Sequence, residues 1–386
     1  MCLLQQHELT DFLTKTMSKF DELTATINTA LTCESCGAIL IFKPGPQRLV
    51  CDFCGAEQKI APPATEGMQD TDVDEFLARN FEQEEKMTVT VAKCESCGAT
   101  STLAPNGSSE QCPFCASSLI TKTGSITSTH KPQYILPFAI EEGRAMSNYG
   151  NWLDSLRLAP SDLREEADLT RKLKGMYLPF WAFGGSTSTS YTGQRGEHHY
   201  TYESDTATGR SRRVKETRWH PVNGTVDNQF DNILIEATRS LPKSTLRELE
   251  PWDLKNLVPY NDKLLLGFHT ETYSVDIKNG HAQARQRMKP TIAKTINSDI
   301  GGDDQTIFQT NTTYRNSTFK HILLPVWISA YQYNGKVYQF IVNARTGEVQ
   351  GERPYSRTKV FLGLIGMGLL FLTLGWFILK AIFRIH

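Results

Sequence analysis

The sequence predicts two small zinc ribbons near the N-terminus, each built on a β-hairpin, then a β-rich α+β middle domain and one C-terminal transmembrane helix. Three observations carry this. The hexapeptide CESCGA occurs at 33–38 and again at 94–99, each time opening a C-x2-C-x14-C-x2-C pattern. Residues 125–352 mix helical periodicity with many strand-like runs. Residues 360–379, VFLGLIGMGLLFLTLGWFIL, form an uncharged apolar run that as a helix spans about 30 Å.

Residues 1–32 come first. Leu9, Phe12, Leu13, Met17, Phe20, Leu23, Ile27 and Leu31 recur at three- and four-residue intervals, which predicts an amphipathic helix over 7–31. Packing on the protein's own body or on a partner helix fits it best, because its polar face carries Asp11, Asp21 and Glu22. The opening MCLLQQHELTDF has no basic segment leading into an apolar core, so a cytosolic start is expected. Cys2 reads as a free thiol.

The ribbons are expected at 33–60 and 93–120. Cys33, Cys36, Cys51 and Cys54 form one set, and Cys94, Cys97, Cys112 and Cys115 the other. Two CxxC pairs across a short spacer suit four thiolates around one tetrahedral zinc, so two zinc ions are expected; iron is the alternative metal. Gly37, Gly55 and Gly98 follow three of the pairs, where backbone N–H groups must approach the sulfurs, and Ala116 follows the fourth. Each spacer holds an apolar or β-branched run and a Pro/Gly turn, the pattern of a hairpin with one pair at each end. Protein fills all four positions of each site, which suits a structural metal, and eight cysteines used this way argue for a reducing compartment.

Between the ribbons, 61–92 is expected to be an acidic, solvated linker that leaves the two as independent modules. It carries Glu66, Asp70, Asp72, Asp74, Glu75, Glu82, Glu84 and Glu85 against Arg79 and Lys86. Val73, Phe76, Leu77 and Phe81 allow one short helix there.

In the middle domain, periodicity predicts helices over 140–157 and 161–174. Asn334-Gly335 between alternating apolar runs predicts a type I′ hairpin within 328–343, and Thr346-Gly347-Glu348 a further turn. LPFW at 178–181 is echoed by LPVW at 324–327, which suggests equivalent strands of two halves. FDN at 230–232 and PWDL at 251–254 read as turns and core anchors.

At the C-terminus, Arg357, Lys359, Lys380 and Arg384 flank the apolar run and Trp376 sits near one end, the frame of a membrane-spanning helix. The thiolate sites favour a cytoplasmic bulk anchored by this tail in an inner membrane.

Catalytic signatures are sparse. The phosphate-loop, nucleophile-elbow and HExxH patterns are missing, and His269-x-Glu271 lacks the open zinc site a deaminase requires. DIGGDDQ at 299–305 offers carboxylates that could hold magnesium, or a glycine turn with solvated acids. His198, His199, His220 and His321 share no metal spacing and read as packing or surface residues.

Taken together, the CxxCG pairs, GMYLPFW, YTGQRG, TRWHPVNGTV, DIGGD, TFKHILLPVW, VNARTGEVQGERPYS and the terminal apolar helix resemble a bacterial family of membrane-anchored, TFIIB-type zinc-ribbon proteins. Its members carry labels such as primosomal protein N′ (replication factor Y)-like or superfamily II helicase. The resemblance runs from residue 33 onward. It implies partners among envelope-stress proteins of the phage-shock and SPFH classes, whereas a helicase motor would need nucleotide-binding motifs that this sequence lacks.

Three functional readings follow. The first is a tethered zinc-binding adaptor that presents its ribbons to protein partners. The second is nucleic-acid binding, which the charge balance disfavours: residues 33–59 set Lys43, Arg48 and Lys59 against Glu34, Asp52 and Glu57, and the whole chain carries −1. The third is an enzyme using the middle domain, centred on DIGGD.

Overall fold

The structure, a computed structural model, describes residues 32–60, 70–78, 86–102, 112–115, 117, 125–166, 173–204 and 211–383. The expected helix at 7–31 and most of the second cysteine spacer lie outside the described residues. Strands β1 (Ile41–Lys43), β2 (Arg48–Val50) and β3 (Glu57–Lys59) form the first antiparallel hairpin sheet. Strand β4 (Thr71–Asp72) leads into helix α1 (Val73–Ala78). A second small sheet joins β5 (Lys86–Lys93), β6 (Thr100–Thr102) and β7 (Ser125–His130) in the order β6-β5-β7. The second hairpin thus draws strand residues from 86–92 and 125–130, beyond the expected 93–120.

The body follows: β8 (Tyr134–Ile135), α2 (Glu142–Ser155), α3 (Leu163–Glu166), β9 (Lys174–Ser204) and β10 (Ser211–Glu236). Then come α4 (Lys243–Glu248), β11 (Val258–Pro259), β12 (His269–Thr270), α5 (Ile277–Ile300), β13 (Asp304–Tyr333), β14 (Lys336–Asn343) and β15 (Val349–Gly351). Helix α6 (Arg357–Phe383) ends the described chain. The main sheet runs β10-β9-β13-β14-β15, with β4, β8, β11 and β12 along its sides. Asn334 and Gly335 both have positive φ (48° and 74°), so the predicted type I′ turn joins β13 to β14. FDN is a β-bulge rather than a turn: the β10 register slips between Phe230 and Ile233, and Asn232 takes φ 53°.

The LPFW and LPVW segments are equivalent, and the equivalence goes far beyond four residues. They lie side by side in the antiparallel β9/β13 pair, where Leu178 faces Leu324. Trp181 Nε1 donates to the Val275 carbonyl and Trp327 Nε1 to the Ile140 carbonyl, both at 2.8 Å. The Ala237 N–H reaches the Pro179 carbonyl and the Ala344 N–H the Pro325 carbonyl, both at 3.1 Å. The N–H groups of Ser274 and Val275 converge on the Ala237 carbonyl, as those of Ala139 and Ile140 do on Ala344. Short strand β12 pairs in parallel with β9 at Met176–Tyr177, and β8 pairs in parallel with β13 at Ile322–Leu323. The body is therefore two copies of one strand–helix–strand–strand unit related by a pseudo-twofold axis. Each unit's short first strand is added to the other unit's long strand, so neither half completes its sheet alone.

The hairpins are not independent modules, which corrects the sequence-based expectation. Leu40, Phe42 and Leu49 are buried in one core with Phe138, Leu266 and Trp327, and the Phe42 N–H donates to the Leu266 carbonyl at 3.1 Å. The Gln47 side chain also donates to the Phe138 carbonyl. The second hairpin places Ala99 and Phe114 in a core with Leu136, Leu178 and Leu324, and the Gln339 side chain donates to the Phe114 carbonyl. A hairpin of so few residues buries little against itself, so its apolar side chains are stabilised by the body. The linker is likewise corrected for 70–78. There β4 pairs with β13, Val73 is fully buried, and Phe76 packs edge-on against Phe319 with ring centroids 4.8 Å apart.

Candidate metal centres

In three of the four CxxC segments the first cysteine's carbonyl accepts from the glycine N–H four residues on, closing a tight turn. Gly37→Cys33, Gly55→Cys51 and Gly98→Cys94 all measure 2.8 Å. The glycines take φ of 72°, 73° and 75°, a region costly for other residues, which explains the CxxCG spelling. At the fourth turn the Cys112 N–H bonds the Ser117 carbonyl at 2.8 Å; Ala116 lies outside the described residues.

These turns bring all eight sequence-predicted ligands together in the two expected sets. Within Cys33, Cys36, Cys51 and Cys54, and within Cys94, Cys97, Cys112 and Cys115, every Sγ lies within 4.8 Å of the others. The closest pairs are Cys33–Cys54 and Cys36–Cys51 at 3.5 Å, Cys94–Cys115 at 3.6 Å and Cys97–Cys112 at 3.7 Å. Sulfurs on a tetrahedral zinc stand about 3.8 Å apart, so both sets could hold such an ion with little movement. In the first set Cys33 and Cys51 are buried while Cys36 and Cys54 face solvent.

The thiols are electrostatically uneven. The Ser35 N–H holds Cys33 down at about 6, against the effect of its burial. Burial pushes Cys94 up, but the Ser117 hydroxyl and the Cys97 and Ser96 N–H groups outweigh it and hold that thiol at about 6. Burial raises Cys97 to about 11 and also raises Cys112. Four thiols this close cannot all ionise unless a cation balances them. Sequence reasoning missed Ser117, whose Oγ lies 3.3 Å from Cys94 Sγ and 3.0 Å from Cys115 Sγ. The only signal was a hydroxyl residue two positions after the last cysteine.

The other candidates do not assemble. In DIGGDDQ, Asp299 accepts from the Tyr191 hydroxyl at 2.6 Å, Asp303 from the His198 N–H at 2.7 Å, and Asp304 pairs with His198 Nε2 at 2.6 Å. Asp299 is thus committed to Tyr191 while Asp303 and Asp304 share His198, around a two-glycine turn. His199 pairs with Glu216 and His220 with Glu197 on the β9/β10 ribbon, while His321 is buried against Trp181. Glu271 belongs to neither cysteine cluster: it is 3% exposed, its Oε1 accepts from Thr238 and Ser240, and burial raises it to about 7. A cleft of about 590 Å³ opens between the first hairpin and the body, where Lys43, Glu57, Glu141, Lys174 and His269 mix charges of both signs.

The chain is 25% identical over 239 residues to the uncharacterized protein YdjG of Bacillus subtilis (strain 168), a match covering 61% of this chain and 68% of that protein. No family model matches the chain. No solved structure matches it.

Proposed function

We propose that the protein is a membrane-tethered zinc-binding adaptor: two zinc ribbons, each closed by four thiolates, are held on a rigid two-fold body and presented to protein partners beside a bilayer. One observation carries the reading. Each cluster offers four sulfurs within 4.8 Å of one another, a set that saturates a tetrahedral ion and leaves no position for substrate or water. The metal then organises structure and the surrounding surface does the recognising. Helix α6 supports the tether. Its segment Arg357–Phe377 is long and apolar enough to cross a membrane, and none of its most apolar stretch is buried among the described residues. The partners would be cytoplasmic or membrane-associated proteins, with envelope-stress assemblies as the class that the sequence resemblance suggests.

Nucleic-acid binding remains the second reading, and the first hairpin argues against it: Lys43 pairs with Asp52 at 3.3 Å and Arg48 pairs with Glu57, so two of its three cations are already neutralised. The test sets the two side by side on detergent-solubilised chain. An adaptor recovers a stoichiometric protein partner that is lost when the metal is chelated, and binds duplex or single-stranded DNA no better than micromolar at physiological salt. Submicromolar DNA binding with a steep salt slope would transfer the function to the second reading.

A further inference from the structure

Where the apolar helix leaves the body, one loop is fastened to its first turn. The Ser356 N–H donates to the Leu158 carbonyl at 2.9 Å, and Lys359 Nζ donates to the Ala159 carbonyl at 2.8 Å. Lys359 immediately precedes the uncharged run at 360–379. A carbonyl in contact with that ammonium stands at the depth where the helix would enter the headgroups. The loop cannot swing away, because Leu156, Ala159 and Leu163 are all buried in the first core. Between those anchored neighbours Leu158 points outward, 46% exposed.

Its surroundings have the composition of a membrane interface. Tyr355 is exposed, with the Arg353 guanidinium 5.5 Å above its ring. Arg157, Arg353 and Arg357 are exposed, each within three residues of the Ser356–Leu158 hydrogen bond in sequence. Of the nearby acids, Asp154 is paired with Arg164 and Asp162 accepts from the Tyr333 hydroxyl at 2.9 Å, while Glu165 and Glu352 stay exposed. At the far end of the run Lys380 lies over the Trp376 ring at 4.7 Å, so an aromatic–cation pair stands at both limits of the apolar segment. An exposed leucine on a loop tied to a segment that carries exposed arginines and an amphipathic aromatic matches acyl-chain edges under anionic phosphates.

We propose that the loop at 156–160, together with Arg353 and Tyr355, is a lipid-contacting surface: Leu158 enters the headgroup layer beside the anchor and the arginines engage anionic phospholipid, which sets how the body stands on the bilayer. The inference rests on the reading that α6 crosses the membrane.

The experiment uses the full chain in phosphatidylcholine vesicles with and without phosphatidylglycerol. An environment-sensitive fluorescent amino acid replaces Leu158, Leu369 within the helix, or Tyr200 on the β9/β10 ribbon, one site at a time. Nitroxide lipids labelled at the headgroup or deep in the acyl chain act as quenchers. The expected result is headgroup quenching at position 158 that rises several-fold with phosphatidylglycerol, deep quenching at 369, and neither at 200. Arg157→Glu with Arg353→Glu should remove the phosphatidylglycerol dependence at 158 and leave 369 unchanged. An unquenched 158 beside a quenched 369 would overturn the loop contact while leaving the span intact. An unquenched 369 would overturn the span and the inference with it. Equal quenching at 158 in both lipid mixtures would overturn the role of anionic lipid.

Discussion

Replacing Phe42 with alanine should unsettle the body, although Phe42 belongs to the first cysteine hairpin. Its side chain is 1% exposed, and its ring meets Phe268 edge-on at 6.1 Å; Phe268 in turn stacks on Phe138 at 4.1 Å and packs against Trp327. Truncating a buried phenylalanine to alanine costs about 3–5 kcal/mol, as lost transfer energy plus the cavity left behind. For a body of this size each kcal/mol moves the melting temperature by about 2–4 °C, so a fall of roughly 10 °C is expected. The assay is thermal unfolding of the detergent-solubilised chain followed by tryptophan fluorescence, with metal content measured on the same sample. Metal should stay bound, because the four Sγ atoms and the turns that aim them are unaltered, while the hairpin becomes sensitive to protease. If the hairpin is cut but the body melts within about 1 °C of the unsubstituted protein, the shared core does not stabilise the body and the docked arrangement is wrong.

Other outcomes follow from single contacts. Trp181→Phe and Trp327→Phe each strip a 2.8 Å hydrogen bond from a buried carbonyl, so each should cost about 1–3 kcal/mol in denaturant titration; a large cost from one and none from the other would break the pseudo-twofold equivalence. Glu271, raised to about 7 by burial, stabilises the fold most below its unfolded value near 4.5, and that contribution is lost as pH rises through 7. Glu271→Gln should therefore match the parent near pH 5 and exceed it by up to about 3 kcal/mol at pH 8, whereas equal stability at both pH values would remove the carboxyl from the pH response. A chain ending after Ser356 should leave the membrane fraction; if it still sediments with membranes, another segment also anchors it.

Some of this architecture is written locally. The cysteine clusters are legible because bringing four thiols to one point fixes both residue type and spacing, and each CxxCG turn is complete within a few residues. Asn334-Gly335 is legible because a two-residue turn with both φ positive admits few sequences. The apolar run at 360–379 is legible because it carries no charge. Long-range features leave fainter marks. Strands β9, β10 and β13 run 31, 26 and 30 residues, yet stretches such as STSTSYTGQRGEHHY lack an apolar face, because their outer parts pair with one another while staying partly open to solvent. The pseudo-twofold is carried by backbone hydrogen bonds, which constrain side chains weakly, so only LPFW and LPVW betray it. Docking of the hairpins was hidden for a different reason: Phe42 and Leu49 suit a hairpin's own small core as well as they suit the body beneath it.

The claim on which the rest depends is that each cysteine cluster is a closed metal site. X-ray absorption at the zinc edge, with metal quantified per chain on the purified full-length protein, tests it most directly. Two zinc ions per chain are expected, each with four sulfur neighbours at about 2.3 Å and no nitrogen or oxygen in the inner shell. One metal per chain, or a lighter ligand completing either shell, would contradict it.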